Sequence, residues 1–298
     1  MALPSYATPV QRTYYYTYLF FCGVVFFFLV APLIAIIPIS FSVSPFMVFT
    51  DEMLSWPPDP DAWSLRWYKN MIGNCSADVV SSTVPCSNKW MIGTVNSFFI
   101  GFIATFIATT LGTLAALGLS RPHMPYKGLI MAILISPMIV PLIITAAGMF
   151  FFYARINLVY SFTGIILAHV ALATPFVVIT VTATLVGFDM NMVKASQSLG
   201  ARPVRTFFKV IMPLILPGVI SGALFAFITS FDEVVIVMFM GSLDQLTIPK
   251  QMWAGIRQEI SPVILCMATC LVVLSILLLT TVELLRRRSE KLRGITSR

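Results

Sequence analysis

Six apolar stretches, each longer than the width of a bilayer requires, decide what this chain can fold into. About 20 helical residues cross roughly 30 Å of hydrocarbon, and the stretches at 17–41, 91–119, 128–153, 158–187, 211–240 and 261–285 all exceed that length. Inside lipid, every backbone N–H and C=O must find its partner within the segment, which makes each such run an α-helix. The composition agrees: 58% of the residues are hydrophobic and 10% charged, with a mean hydropathy of +0.91, too little polar surface for an ordinary water-facing domain. The expected fold class is therefore all-α, a polytopic membrane bundle of six transmembrane helices. The expected organisation is a membrane domain at 17–285, a short N-terminal segment at 1–16 and a basic tail at 286–298.

Basic residues set the orientation, because short cytoplasmic loops collect Lys and Arg. With the N-terminus inside, the cytoplasmic side holds Arg12, Arg121, Lys127, Lys194, Arg202, Arg205, Lys209, Arg286, Arg287, Arg288, Lys291, Arg293 and Arg298, 13 of the 19 basic residues. Both termini are expected to be cytoplasmic. Arg12 and the run Tyr14-Tyr15-Tyr16 precede the first span, which lacks the small-residue cleavage site of a removed signal peptide and reads as a retained span with an aromatic interfacial anchor. The net charge of +7 is mostly this topological signal plus attraction to anionic headgroups, and its distribution does not suggest nucleic acid.

The longest loop, 42–90, faces outward in this topology and is broken by Pro45, Pro57, Pro58, Pro60, Gly73 and Pro85, leaving room for one short helix near 62–72. Trp56, Trp63 and Trp67 suit the headgroup region or a docking surface for an outer partner. Cys75 and Cys86 lie in the same loop, where an oxidising compartment allows a disulfide. Cys22, Cys266 and Cys270 fall inside spans and read as packing residues; no set of metal ligands is evident.

Charged groups inside a span are costly unless paired or wetted. Asp232 and Glu233 are the deep ones. On a continuous helix, adjacent positions point about 100° apart, so at most one of the two squarely faces a central pathway. One reading has it line a route for a cationic solute; the other makes both carboxylates structural, satisfied by Thr229, Ser230 or a partner subunit. His169 reads as a hydrogen-bonded packing residue.

Between the fourth and fifth spans lies the polar segment 189–209. Met192, Ala195, Ser196 and Leu199 recur at i, i+3, i+4 and i+7 on one small-to-apolar helix face, with Lys194, Gln197 and Ser198 opposite. Gly200 then supplies a helix stop and Pro203 a helix start, so the segment is expected to form a surface elbow of two helices. This elbow resembles the cytoplasmic coupling loop of the transmembrane subunits of bacterial ABC importers, whose pattern is Glu-Ala-Ala, three residues, Gly, then an apolar-Pro pair. Here the pattern reads Lys194-Ala195-Ser196, Gly200-Ala201 and Ile211-Met212-Pro213. Lys194 stands where the family usually has a glutamate. The resemblance implies that Met192 to Ala201 dock in a groove of an ATPase subunit.

Asn96-Ser97, Ala115-Ala116 through Ser120-Arg121, Ser230-Phe231-Asp232-Glu233, Leu246-Thr247-Ile248-Pro249 and Pro262 extend the likeness over nearly the whole chain. They resemble the spermidine/putrescine-type permeases, most of all the second of their two permease subunits. That resemblance implies the type I importer permease fold, a bacterial inner-membrane location and a small, cationic nitrogen compound as cargo. The implied partners are a cytoplasmic ATPase dimer that uses ATP and Mg, a second permease chain, read as a distinct paralogue with a copy of this one left open, and a periplasmic solute-binding protein. No glycine-rich phosphate loop ending in Lys-Ser/Thr occurs in this chain, so no cofactor and no catalysis are expected in it. An ion-coupled secondary transporter using Asp232 or Glu233 is the alternative, weakened by the absence of paired, broken halves. A membrane enzyme is weaker still, since His123 and His169 alone build no ordinary metal site.

Overall fold

The computed structural model describes residues 8–57, 59–73, 88–121, 123–186, 188–189, 191–258 and 261–292. Helices in chain order are α1 (Pro9–Ile39), α2 (Asp51–Leu54), α3 (Arg66–Met71), α4 (Lys89–Leu119), α5 (Lys127–Ile139), α6 (Leu142–Arg155), α7 (Phe162–Val186), α8 (Asn191–Ser198), α9 (Pro203–Phe231), α10 (Val235–Met240), α11 (Ile248–Gln258) and α12 (Val263–Leu292). Five of them are long and apolar enough to cross a membrane, and the bent pair α5–α6 makes six when counted as one span.

Two expected spans are interrupted, each for a local reason. Pro141 pushes the residue before it out of the helical region, and Val140 accordingly sits at ψ 136°. The third span thus breaks into α5 and α6, bent by 102°. The fifth span ends at Phe231 and resumes at Val235, so Asp232 and Glu233 occupy a break and not consecutive positions of one helix.

The chain divides into two compact units. In the unit 89–254, α4, α7 and α9 form the centre. Ala104, Ala108 and Ala116 of α4 have no exposed surface, and Gly112 completes their four-residue spacing. A Cβ on Gly112 would stand 2.6 Å from the Val177 Cβ, and one on Gly218 would collide with the Thr184 hydroxyl. Membrane helices associate by such close approach, since lipid removes the hydrophobic drive between them. Ile100, Ile165, Val177, Val181, Ile215 and Ala226 fill the core around these contacts. His169, fully buried in α7, shares a 2.8 Å hydrogen bond between its Nδ1 and the Ser230 hydroxyl of α9, the packing role expected of it.

The other unit comprises 1–88 and 255–298. Helix α1 opens with a capping box, in which Thr8 and Gln11 satisfy each other's backbone N–H groups, and it buries none of its residues. Phe20, Phe26, Phe27 and Phe28 on it are exposed, a surface suited to lipid or to another membrane chain. The segment after α1 folds around Trp67, which is wholly buried and donates its indole N–H to the Ser42 carbonyl at 2.9 Å. That corrects the interfacial reading of this tryptophan, whereas Trp56 is exposed. A 3₁₀ turn at Pro60–Ala62 and α3 replace the single helix expected at 62–72. The Cys266 thiol donates to the Ser40 carbonyl at 3.3 Å, in keeping with a packing residue. Cys75 and Cys86 lie outside the described residues.

Candidate functional site

Three places carry the residues singled out by the sequence, and the elbow is the best defined. The Asp189 carboxylate accepts from the Asn191 N–H at 2.9 Å and starts α8. At the other end, Gly200 has φ +79°, its N–H donates to the Gln197 carbonyl at 2.9 Å, and the Ala201 N–H donates to the Ser196 carbonyl at 3.1 Å. These are the two bonds of a Schellman stop, which requires a left-handed residue after the helix. Pro203 then begins α9, whose first turns include a π-turn at Phe207–Ile211.

The elbow is fixed to α9 by one polar contact. The Ser196 hydroxyl lies 3.0 Å from that of Thr206, which is buried. Ser196 is therefore partly covered and turned inward. Met192, Lys194, Ala195, Leu199 and Gly200 remain exposed, with Leu199 at 88%, and Ala201 is half-covered. An exposed apolar edge on a capped helix is suited to docking in a protein groove.

The second place is the break after α9. Glu233 is buried, and its carboxylate accepts the Ile236 N–H at 2.9 Å, satisfying one of the orphan donors at the start of α10. Asp232 is exposed. Ser230, expected as a partner for these carboxylates, is bonded to His169 instead. Around the break the ring centroids of Phe98, Phe227 and Phe231 lie within 6.5 Å of one another, and Phe102 joins Phe98 and Phe227. An exposed carboxylate following such aromatic surface is suited to a cation, through both its charge and the faces of the rings.

The third place is a clasp around Asn96-Ser97, a pair that the sequence marks only as part of the likeness to permeases. The Asn96 amide donates to the carbonyls of Asp244 and Leu246, each at 2.8 Å, and the Ser97 hydroxyl accepts the Ile248 N–H at 2.9 Å. A Cβ on Gly93 would stand 3.3 Å from the Thr247 carbonyl carbon, so the loop is pressed against the first turns of α4. Lys250 donates to the carbonyls of Gly241 and Ser242 at 2.8 and 3.1 Å; its half-burial pushes the ammonium below the usual lysine range. Nothing in the local sequence marks Lys250 for this role, because both its partners are backbone atoms. Among the described residues, no cluster of His, Cys, Asp and Glu could hold a metal ion.

Known proteins resemble the chain at every level. The spermidine/putrescine transport system permease protein PotC of Haemophilus influenzae is 28% identical over 91% of this chain and 96% of its own length. PotC of Escherichia coli is also 28% identical, covering 91% and 94%. The putrescine transport system permease protein PotI of Escherichia coli is 28% identical over 82% of this chain and 81% of its own. In fold, the chain is similar to a subunit of a bacterial ABC transporter that imports the acidic polysaccharide alginate, with a TM-score of 0.68 at 14% identity, covering 96% of this chain and 99% of that one. Residues 108–291 match the family described as the inner membrane component of binding-protein-dependent transport systems. With that match spanning the elbow, the acidic break, α7, α9 and the end of α4, the chain belongs to this family and is a non-catalytic, multi-pass permease subunit of an ABC importer.

Proposed function

We propose that this subunit forms half of a translocation pathway for a small cationic nitrogen compound of the polyamine kind, and that α8 couples it to a cytoplasmic ATPase. The observation that carries the reading is the elbow, a helix closed at Gly200 and tied down at Ser196, with Met192, Lys194, Ala195 and Leu199 left open. Two ATPase subunits, which bind ATP and Mg themselves, draw the docked elbows together and tip the bundle between inward- and outward-facing states. A periplasmic binding protein delivers the solute, and a second, distinct permease chain completes the route. The basic residues support a bacterial inner-membrane location with both termini cytoplasmic.

The cargo class draws its support from the names of the relatives, which transport spermidine and putrescine, and from Asp232. Glu233 is occupied by the backbone of α10, so Asp232 is the carboxylate that meets the solute. The test is uptake of radiolabelled spermidine by proteoliposomes holding the subunit with its ATPase, companion permease and binding protein. ATP-dependent uptake that disappears when the ATPase is omitted supports the proposal. Uphill accumulation without the ATPase overturns it.

A further inference from the structure

Immediately behind the elbow, the start of α9 carries a concavity of about 610 Å³ lined by Gly200, Arg202, Val204, Arg205, Phe208 and Lys209. Its charge is one-sided, with two guanidinium groups and one ammonium and no carboxylate in the wall. Arg202 is the extended residue that caps the start of α9, Arg205 stands in its first turn and Lys209 in the π-turn that follows, and all three line the same concavity. Between them stand Val204 and Phe208, 69% and 61% exposed. Three cations and two apolar side chains thus share a single cavity.

What lies beyond the cavity along the same helix narrows the occupant. Leu214, Leu216 and Ile220 are exposed on the following turns, so the cationic group sits at the end of a membrane span whose next turns leave apolar side chains uncovered. Basic pockets at the ends of spans on the cytoplasmic side recognise anionic headgroups, and guanidinium groups match phosphate oxygens in pairs. Independently of the solute proposed above, we infer that this cavity binds the headgroup of an anionic phospholipid, with the phosphate on Arg202, Arg205 and Lys209 and the glycerol and upper acyl chain against Val204 and Phe208. The bound lipid anchors the pivot of the elbow at a fixed depth while α8 is pulled from below.

Retention of phosphatidylglycerol by the purified complete transporter, counted by native mass spectrometry after delipidation and titration with vesicles of phosphatidylcholine and phosphatidylglycerol, tests the assignment. Changing Arg202→Gln, Arg205→Gln and Lys209→Gln together lowers phosphatidylglycerol retention by about a hundredfold, at about fivefold per cation near an anionic lipid surface. Retention of phosphatidylcholine stays the same. The charge-preserving set Arg202→Lys, Arg205→Lys and Lys209→Arg keeps most of the retention, and Arg121→Gln with Lys127→Gln, which removes cations elsewhere on the same side, leaves it intact. Equal retention in the triple Gln variant overturns the proposal, as does complete displacement of the lipid by inorganic phosphate, which would mark a free-anion site. Loss of ATPase co-purification by the triple Gln variant in pure phosphatidylcholine nanodiscs also overturns it, by assigning the cations to carboxylates of the ATPase.

Discussion

The hydroxyl groups of Ser196 and Thr206 face each other at 3.0 Å across the bend of the elbow, joining the helix that projects from the bundle to the span that follows it. Thr206 is buried, so its hydroxyl has little access to water once Ser196 is gone. Thr206→Val removes the bond and keeps the shape. Losing a typical hydrogen bond costs about 1 kcal/mol, too little to unfold a six-span protein. ATP hydrolysis by the assembled transporter should persist while solute moved per ATP falls several-fold; unchanged stoichiometry in proteoliposomes would show that the bond has no part in coupling.

Gly200 offers a separate test of the same bend. Its φ of +79° is strained for any residue with a Cβ, and the space around it is open, so backbone strain alone is at issue. Gly200→Val costs about 1–2 kcal/mol at this point and should abolish coupled uptake with insertion into the membrane intact, as read by expression level and gel filtration. Normal uptake would exclude a rigid elbow.

The two carboxylates of the break should respond differently. Asp232→Asn leaves the fold alone and is expected to lower the transport rate of a cationic solute by tenfold or more. Glu233→Gln retains an oxygen for the Ile236 N–H and should transport nearly as well as the parent, while Glu233→Ala strands that N–H at a cost of about 1–3 kcal/mol and lowers the melting temperature. Initial uptake rates and thermal unfolding of the three variants decide the matter, and a transport defect confined to Glu233→Gln would reverse the assignment.

Asn96→Ala should release the segment 241–248. It removes both donors to the Asp244 and Leu246 carbonyls and leaves the remaining contacts of the clasp in place. Amide hydrogen exchange in this segment should quicken by tenfold or more, with no change in the core of α7. Equal protection in the two proteins would show that Ser97 and the approach at Gly93 suffice.

Long spans and the elbow were legible from residue order, since both rest on local chemistry: unbroken apolar length, a helical repeat, and a glycine where a left-handed stop is needed. Pro141 was equally visible, yet a span with a proline and a span broken by one look alike until the residue before the proline is seen to be extended. Glu233 was harder. Its partner is a backbone N–H three residues away, which exists only because the helix stops at Phe231, and hydropathy runs straight through that stop. The spacing Ala104, Ala108, Gly112, Ala116 was readable in principle as a small-residue face, but only the structure says which helices it meets. Trp67 reads as interfacial because a tryptophan in a proline-broken loop suits an interface as well as it suits a core, and its acceptor, the Ser42 carbonyl, lies 25 residues away.

The glycine contacts at the centre of 89–254 bear on how work crosses this protein. Where α4, α7 and α9 meet, Gly112 and Gly218 leave no layer of flexible side chains to compress, and dense interiors yield little under load. Under the coupling proposed above, a pull at the elbow would move the packed stretches of the three helices together, like a stiff beam, and the deformation would fall on the interruptions outside those contacts: the kink at Val140-Pro141, the π-turn at Phe207–Ile211 and the gap at Asp232–Val234. Force entering through the elbow, in the coupling proposed above, would pass the π-turn before it reaches the glycine-packed block and, beyond it, the acidic joint.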